Sequence, residues 1–152
     1  MLRSLGVCLL LVACQGETAP APDLMEPLVP AVASVEIAVP RMLVGGTMEE
    51  IESGATASRF FIGDLRGLSV MVRFPTTPPA EVTLDVVGPW GTRYARLVRP
   101  VEGHDAFFVI PVAGTWISRK HLAGDYTLVA TIPGDDEALV TTTVELVDGV
   151  SP

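Results

Sequence analysis

The sequence predicts an all-β fold, an antiparallel sandwich of seven to eight strands. Three observations point to this class. Apolar and polar residues alternate with the two-residue period of half-buried strands in several short runs. Thirteen prolines and 14 glycines punctuate the chain, as expected where turns are frequent. The segments between the runs lack the helix-length crossovers that a parallel sheet requires.

Eight segments carry this strand pattern. In the third segment every second residue from Leu68 to Phe74 is apolar, and the residues between them are mostly polar. The β-branched residues that dominate these segments favour strands over helices. In chain order, the segments are residues 35–39, 59–62, 68–74, 82–87, 92–98, 106–112, 126–132 and 140–146.

Turn residues separate the strand segments. Pro40 ends the first segment and Pro75 ends the third. The sequence GPWG at 88–91 predicts a turn that joins the segments on either side into a hairpin. Residues 133–137 predict a polar turn before the last strand. The acidic segment 48–53, MEEIES, is compatible with either one helical turn or a loop.

One local pattern narrows the fold class. The segment 121–132, HLAGDYTLVATI, resembles the tyrosine corner of immunoglobulin-like domains. This resemblance implies that Tyr126 buries its ring and returns its hydroxyl to nearby backbone. Leu128 stands where antibody domains have a disulfide cysteine, so the resemblance extends to the sandwich and not to antibody-like recognition. The longer run 88–132 is similar to immunoglobulin-like modules of bacterial surface and periplasmic proteins.

The N-terminal residues 1–13 have the layout of a secretory signal. Arg3 lies in a short first region and is followed by an apolar run at 5–12. This run is shorter than the roughly 20 apolar residues that a membrane-spanning helix needs. A cleaved leader is therefore expected, and Cys8 would be removed with it.

The end of this leader resembles the lipobox of bacterial lipoproteins. An apolar residue, a β-branched residue, a small residue and a cysteine follow in order, as Leu11, Val12, Ala13 and Cys14. The resemblance implies that the thiol of Cys14 receives a diacylglyceryl group and that the leader is cut just before it. Gln15 replaces the aspartate that favours inner-membrane retention in enterobacteria, so the resemblance also implies an outer-membrane anchor.

The chain is predicted to contain one folded domain on a tether. Residues 14–33 hold the lipidated cysteine and a linker rich in proline and alanine, which favours an extended conformation. At ~3.1 Å per residue, such a linker reaches about 60 Å. The immunoglobulin-like domain is expected at 34–148, followed by a short C-terminal tail at 149–152. After Cys14 the chain contains no cysteine, so no disulfide is expected in the domain.

The charge of the chain excludes one class of partner. Eighteen acidic residues outnumber ten basic residues. An acidic protein repels nucleic-acid phosphates, and no basic stripe with interleaved aromatic residues is present in the sequence. Nucleic-acid binding is therefore not expected, and the membrane is expected to be contacted through the lipid on Cys14.

The sequence carries no recognisable catalytic or metal-binding motif. Nucleophile elbows, phosphate-binding loops and zinc-protease motifs are absent from it. The two histidines, His104 and His121, form no short-range ligand set, and the domain has no cysteine. The acidic clusters around Glu50 and Asp136 lack calcium-loop spacing and are interpreted as solvated surface. The expectation is a non-enzymatic protein without a cofactor or metal.

The candidate binding residues lie in the predicted hairpin. Trp90 occupies its turn, where it is either packed locally or exposed as an anchor for a partner. Arg93 and Arg99 share parity on an ideal strand, which predicts that they point to one face and that Arg96 points to the other. Trp116 is expected in the core.

The leading functional hypothesis is a membrane-anchored lipoprotein of the cell envelope. Its domain would serve as a binding or structural module, with an envelope protein or a polysaccharide as partner. Two alternatives remain open: an accessory scaffold subunit of a secretion, motility or transport assembly, and a carbohydrate-binding module.

Overall fold

The computed structural model describes residues 39–152. The predicted signal peptide (1–13), the lipidated Cys14 with its linker (14–33), and the first residues of the predicted domain, from 34 onward, lie outside the described residues. Within 39–152, eight strands and two short helices follow one another. Their bounds are β1 Arg41–Gly45, α1 Met48–Glu52, β2 Arg59–Phe61, β3 Gly67–Arg73, β4 Glu81–Val87, β5 Arg93–Pro100, β6 Asp105–Pro111, α2 Trp116–Arg119, β7 Gly124–Thr131 and β8 Ala138–Val147.

The strands form two sheets. One has three strands in the order β1-β3-β6, and the other has five in the order β2-β8-β7-β4-β5. Among the described strands every pairing is antiparallel except that of β2 with β8, which is parallel. The predicted all-β sandwich is confirmed.

The core lies between the inner faces of the two sheets. The residues that the alternating pattern placed on these faces are fully buried, as Val70 of β3, Leu84 of β4, Phe108 of β6 and Leu128 of β7 show. Apolar side chains from both sheets join one contiguous cluster. This arrangement is expected when two sheets pack face to face, because each strand contributes every second residue.

Helix α1 covers part of the outer face of the small sheet. Its Ile51 is buried, and so are Ser69 and Met71, which the alternation of β3 directs away from the core. A side-chain carbon at Gly45 would lie 3.0 Å from Ile51, so a glycine lets the helix approach the strand. The segment 48–53 is thus a helical turn.

The first strand differs from the sequence expectation. Val39 lies outside any strand, and β1 begins after Pro40, at Arg41. The predicted run 35–39 otherwise lies outside the described residues. Proline has no N–H for the ladder, but it is tolerated beside the first residue of a strand. Pro40 therefore precedes a strand that the sequence analysis missed.

The strand directions define two ends of the sandwich. Arg41 of β1 pairs with Arg73 at the end of β3, so β1 begins where β3 leaves for β4. The opposite end holds the β4–β5 turn (88–92) and the β6–β7 connection (112–123), and is called here the tryptophan end. The chain therefore enters the described sandwich at the end opposite to both tryptophans.

Candidate functional site

An open cleft of about 360 Å³ lies at the tryptophan end. It brings together the β4–β5 turn, the start of β5, helix α2 and the start of β7. The two tryptophans of the chain both line it, although they are separated by 25 intervening residues in sequence. The lining residues are Gly88, Pro89, Trp90, Thr92, Arg93, Tyr94, Trp116, Leu122 and Tyr126.

The β4–β5 turn presents Trp90 to solvent. The turn is closed by hydrogen bonds from Gly88 N to Thr92 O at 2.9 Å and from Gly91 N to Gly88 O at 3.0 Å. Gly91 has φ +72°, a conformation that glycine adopts without steric cost. Trp90 is consequently held on a short, closed turn with 69% of its surface exposed.

The expectation that Trp116 lies in the core is wrong, because 68% of its surface is exposed. It is the first residue of α2, a helix of one turn. Successive residues of a helix are rotated by about 100°, so Trp116 and Ile117 cannot both face the sandwich. Ile117 takes the buried position, and Trp116 is directed towards the cleft.

Tyr126 contributes to the floor of the cleft. Its ring is buried, and its hydroxyl donates a hydrogen bond to the carbonyl oxygen of Leu122 at 2.9 Å. This is the backbone bond that the sequence analysis assigned to a tyrosine corner. Burial raises the pKa of Tyr126, and the neighbouring Tyr94 phenol raises it further. The bond fixes the end of the β6–β7 connection against β7.

Gly124 allows the two chain segments of the cleft to meet. Its φ of +134° lies outside the range that other residues adopt readily, and a side-chain carbon there would lie 2.8 Å from Cβ of Pro89. Only glycine lets the β4–β5 turn pack so closely on the start of β7. This contact holds the turn that carries Trp90 beside the start of β7, where Tyr126 lines the same cleft.

Two arginines share one carboxylate beside the cleft. Arg96 donates two hydrogen bonds to Asp85, from Nε at 2.8 Å and from Nη2 at 2.7 Å. Arg93 Nε lies 3.3 Å from the same carboxylate. The hydrogen bonds from Arg96 hold the pKa of Asp85 below its usual range, and the charges of both arginines add to this effect. The cluster carries two guanidinium groups and one carboxylate.

The predicted pairing of Arg93 with Arg99 on one face is wrong. Val86 pairs with Ala95 and Val87 pairs with Arg93, so Tyr94 is an extra residue in β5. This β-bulge reverses the side-chain parity and places Arg93 on the face of Arg96. Arg99 pairs with Val82 near the other end of the strand, five ladder positions and about 17 Å from Arg93 at ~3.3 Å per residue. It is not part of the cleft.

Two further cations extend the cleft. Arg119 and Lys120 line a shallow depression next to Trp116. The Lys120 ammonium group lies 5.7 Å from the centre of the Trp116 ring, within the range of a cation–π contact. The Arg119 Nε donates to the carbonyl oxygen of Gly114 at 2.8 Å. Within residues 39–152, neither cation forms an ion pair with a carboxylate.

A histidine–aspartate pair lies in a separate groove, together with Ser118. His121 Nδ1 is 2.6 Å from Asp148 Oδ1, and the pair lowers the pKa of Asp148. A hydrolytic triad needs the hydroxyl bonded to the histidine. The Ser118 hydroxyl instead donates to the carbonyl oxygen of Thr115 at 3.3 Å. The pair links the end of β8 to the β6–β7 connection.

A groove of about 590 Å³ lies beside α1, and two of the carboxylates that line it already accept backbone hydrogen bonds. The Glu50 carboxylate accepts hydrogen bonds from the backbone of Gly46 and Thr47, at 2.8 Å and 3.2 Å, and caps the helix. Asp64 accepts one from Ser151 N at 2.7 Å. These carboxylates hold the local backbone in place, whereas the cleft with both tryptophans presents exposed anchors.

Two further findings concern the part of the chain that the structure describes. Residues 39–152 contain no cluster of three or more His, Cys, Asp or Glu side chains arranged to bind a metal ion. Among the helices described, none combines the length and the apolar character needed to cross a bilayer.

Comparison with known proteins gives no match of this chain to a protein family, to a curated protein or to a solved structure. The fold and the cleft define a β-sandwich domain with an aromatic, cationic surface at one end. Its function is therefore inferred from the residues of the cleft and of the N-terminal segment.

Part of this site could be predicted from the sequence. Trp90 and Arg93 lie in the cleft, and Arg99 does not. Tyr94, Trp116, and the cations Arg119 and Lys120 were missed as binding residues. Adjacent Trp116 and Ile117 did carry a signal, because a helix of one turn can bury only one of two neighbours. Nothing in the sequence indicated that the two tryptophans line one cleft.

Proposed function

We propose that this protein is a lipid-anchored lipoprotein of the bacterial cell envelope, with an immunoglobulin-like domain that acts as a non-enzymatic binding module. The contact surface is the cleft between Trp90 and Trp116. The lipid on Cys14 retains the protein at the membrane, and the linker gives the domain its reach. Gln15 after the lipidated cysteine favours the outer membrane as the site of the anchor.

The observation that carries the binding role is the exposure of both tryptophans in one cleft. Trp90 and Trp116 are 69% and 68% exposed, although each could stabilise the fold by burial. Trp, Tyr and Arg are the residues enriched at the energetic centres of interfaces. Trp90, Trp116, Tyr94 and Arg93 supply all three types.

The residues that line the cleft suit a contact surface. Its described lining combines the indole rings of Trp90 and Trp116 with the guanidinium group of Arg93 and the hydroxyl groups of Thr92 and Tyr94. Such a set offers both apolar area and hydrogen-bond donors to a partner.

The strand order supports the immunoglobulin-like assignment. In such sandwiches the second and fifth strands of the core set, B and E, share one sheet, and C, F and G share the other. Here β3 and β6 share the small sheet, while β4, β7 and β8 are neighbours in the large one. The hydrogen bond from Tyr126 to Leu122 lies at the start of β7, the strand that corresponds to F.

The anchor is tested by comparing Cys14→Ala with Cys8→Ala. Cells expressing each variant and the wild-type chain are supplied with labelled fatty acid, and membranes are separated from soluble material. We expect Cys14→Ala to lose both the label and membrane retention. Cys8→Ala should keep both, because its cysteine lies in the leader. Labelling of the Cys14→Ala chain would contradict lipidation at this residue.

The contact surface is tested by photocrosslinking in intact cells. A diazirine side chain at Thr92 places the probe inside the cleft without removing a tryptophan. The same probe at Val109, which is exposed on β6, serves as the control. We expect an adduct of higher mass from Thr92 and not from Val109. Equal adducts from both positions, or none from Thr92, would contradict a contact role for the cleft.

A further inference from the structure

We propose that the cleft binds an anionic polysaccharide, with sugar rings stacked on Trp90 and Trp116 and acidic groups held by Arg93, Arg119 and Lys120. This inference rests on the proposed role of the cleft as the contact surface and names its ligand class. A free acidic oligosaccharide and a polymer of the envelope share this chemistry.

The tryptophans fit a ligand with flat, weakly apolar faces. An indole ring carries partial negative charge on its faces. The C–H groups of a pyranose ring carry partial positive charge and lie together on one face, so the two surfaces attract and exclude water. The cleft volume of about 360 Å³ is at the lower end of the range for small-ligand sites. Because the cleft is open, a chain can continue beyond the rings that it holds.

The charges around the cleft favour an anionic ligand. Arg96 donates two hydrogen bonds to Asp85, and Arg93 is a second cation beside the same carboxylate. One of the two positive charges is therefore not neutralised within this cluster. Arg119 and Lys120 add two positive charges beside Trp116, and no carboxylate is present among the described residues that line either depression. The whole chain has a formal charge of −8. The net charge repels anions at long range, so the local positive charges beside the tryptophans supply the attraction, and they act at contact distance.

β1 begins at the end of the described sandwich opposite to the cleft. The seven residues of β4, at ~3.3 Å each, separate the two ends by about 23 Å. A linker that reaches about 60 Å allows either end to approach the membrane, so an anionic membrane is included below as a competing probe.

Tryptophan fluorescence gives a direct measurement of this site. The chain contains two tryptophans, and both line the cleft. Every change in tryptophan emission therefore reports on the proposed ligand position. The full-length chain, extracted in a non-ionic detergent, is titrated with polygalacturonate as the anionic glycan. We expect a shift of the emission to shorter wavelength and protection from quenching by acrylamide.

Three further probes separate the ligand classes. Dextran is a neutral glycan, polyglutamate is an anionic polymer without rings, and phosphatidylglycerol vesicles are an anionic membrane. We expect binding of polygalacturonate to be at least about tenfold tighter than that of each other probe, because only polygalacturonate offers both rings and charge. Binding should weaken with added salt, since exposed charges are screened. Equal binding of any other probe, or no response to polygalacturonate, would overturn the proposal.

Matched variants locate the interaction. Arg93→Gln should weaken polygalacturonate binding by up to about fivefold, the range expected for one exposed ion pair. Arg99→Gln on the same strand should leave binding unchanged, because Arg99 lies outside the cleft. Trp90→Phe and Trp116→Phe should each weaken binding and leave one reporter in place. Equal effects of the two arginine substitutions would contradict the assigned site.

The outcomes also separate this inference from the proposed function. A crosslinked adduct at Thr92, together with no polygalacturonate response, would keep the cleft as a contact surface and overturn the glycan as its ligand. If neither an adduct nor a response is found, both proposals fail.

Discussion

The core of the sandwich and its tryptophan end differ in the burial of their aromatic side chains. Phe60, Phe108 and Tyr126 are buried, while Trp90 and Trp116 remain mostly exposed. Burying a large apolar side chain stabilises a fold by about 1.5–3 kcal/mol. Aromatic side chains thus stabilise the core by burial, whereas Trp90 and Trp116, the two largest, lie outside the core at the tryptophan end.

The two regions also differ in backbone structure. The buried aromatic residues lie in regular strands or next to them, where alternation decides which face each one takes. The exposed tryptophans lie on a closed turn and on a helix of one turn. Substitutions in the core are therefore expected to change stability, and those at the tryptophan end are expected to change binding.

The largest effect is expected in the core. Phe108 is 1% exposed and belongs to the central cluster. Phe108→Ala should lower the free energy of unfolding by about 3–5 kcal/mol, since it removes buried contacts and leaves a cavity. Urea denaturation followed by far-ultraviolet circular dichroism measures the change. A loss under about 1 kcal/mol would contradict the comparison between the two regions.

The junction between the regions should show the next largest effect. Gly124→Ala combines an unfavourable φ with a contact of 2.8 Å to Pro89, so we expect a loss of about 2–3 kcal/mol. Gly134→Ala is the matched control, because Gly134 has φ +86° and no atom within 4 Å of the added carbon. It should cost about 1 kcal/mol. Equal losses would show that the approach of Pro89 is unimportant.

Much of the fold could be predicted from the sequence because alternation acts locally. Seven of the eight strands overlap segments identified from their apolar period, as for β3, β4 and β7. The missed strand, β1, has little alternation and follows a proline. The parallel pairing of β2 with β8 could not be predicted either, since it depends on which edge of the large sheet a three-residue strand reaches.

The site was less predictable because its geometry depends on irregular features. The bulge at Tyr94 reverses the parity of β5, and no local residue pattern indicated an extra residue there. Trp90 and Trp116 line one cleft, and the turn that carries Trp90 packs on the start of β7 at Gly124. A tertiary contact of this kind leaves no periodic signal in the sequence.

The arginine cluster beside the cleft should make stability depend on acid pH. Hydrogen bonds from Arg96 lower the pKa of folded Asp85 below its unfolded value of about 3.9. The stabilisation is therefore complete above that pH and is lost as the pH falls through the lower, folded value. Asp85→Asn should lower the free energy of unfolding at pH 7 by about 1–2 kcal/mol. Melting curves between pH 6 and about pH 2 should fall less steeply for the variant, and parallel curves would contradict this assignment.

The hydroxyl of Tyr126 should contribute a smaller amount. Tyr126→Phe keeps the buried ring and removes the hydrogen bond to Leu122, so we expect a loss of about 1 kcal/mol. Tyr94→Phe is the control, because it removes a phenol hydroxyl from the same cleft and leaves the bond from Tyr126 to Leu122 in place. Burial raises the pKa of Tyr126, so wild-type stability should also decline as the pH rises above about 10. An unchanged unfolding midpoint for Tyr126→Phe would contradict a stabilising corner.

The smallest effect on stability should come from Trp116 itself. Trp116→Ala removes an exposed ring and its contact with Lys120, which should cost less than about 1 kcal/mol. Its neighbour Ile117 is buried on the same helical turn, so Ile117→Ala should cost about 2–5 kcal/mol. Polygalacturonate binding should show the reverse order, with the larger loss for Trp116→Ala. If Trp116→Ala instead unfolded the domain, the tryptophan would be a structural residue. The distinction between core residues and cleft residues would then not hold for Trp116 and its neighbour Ile117.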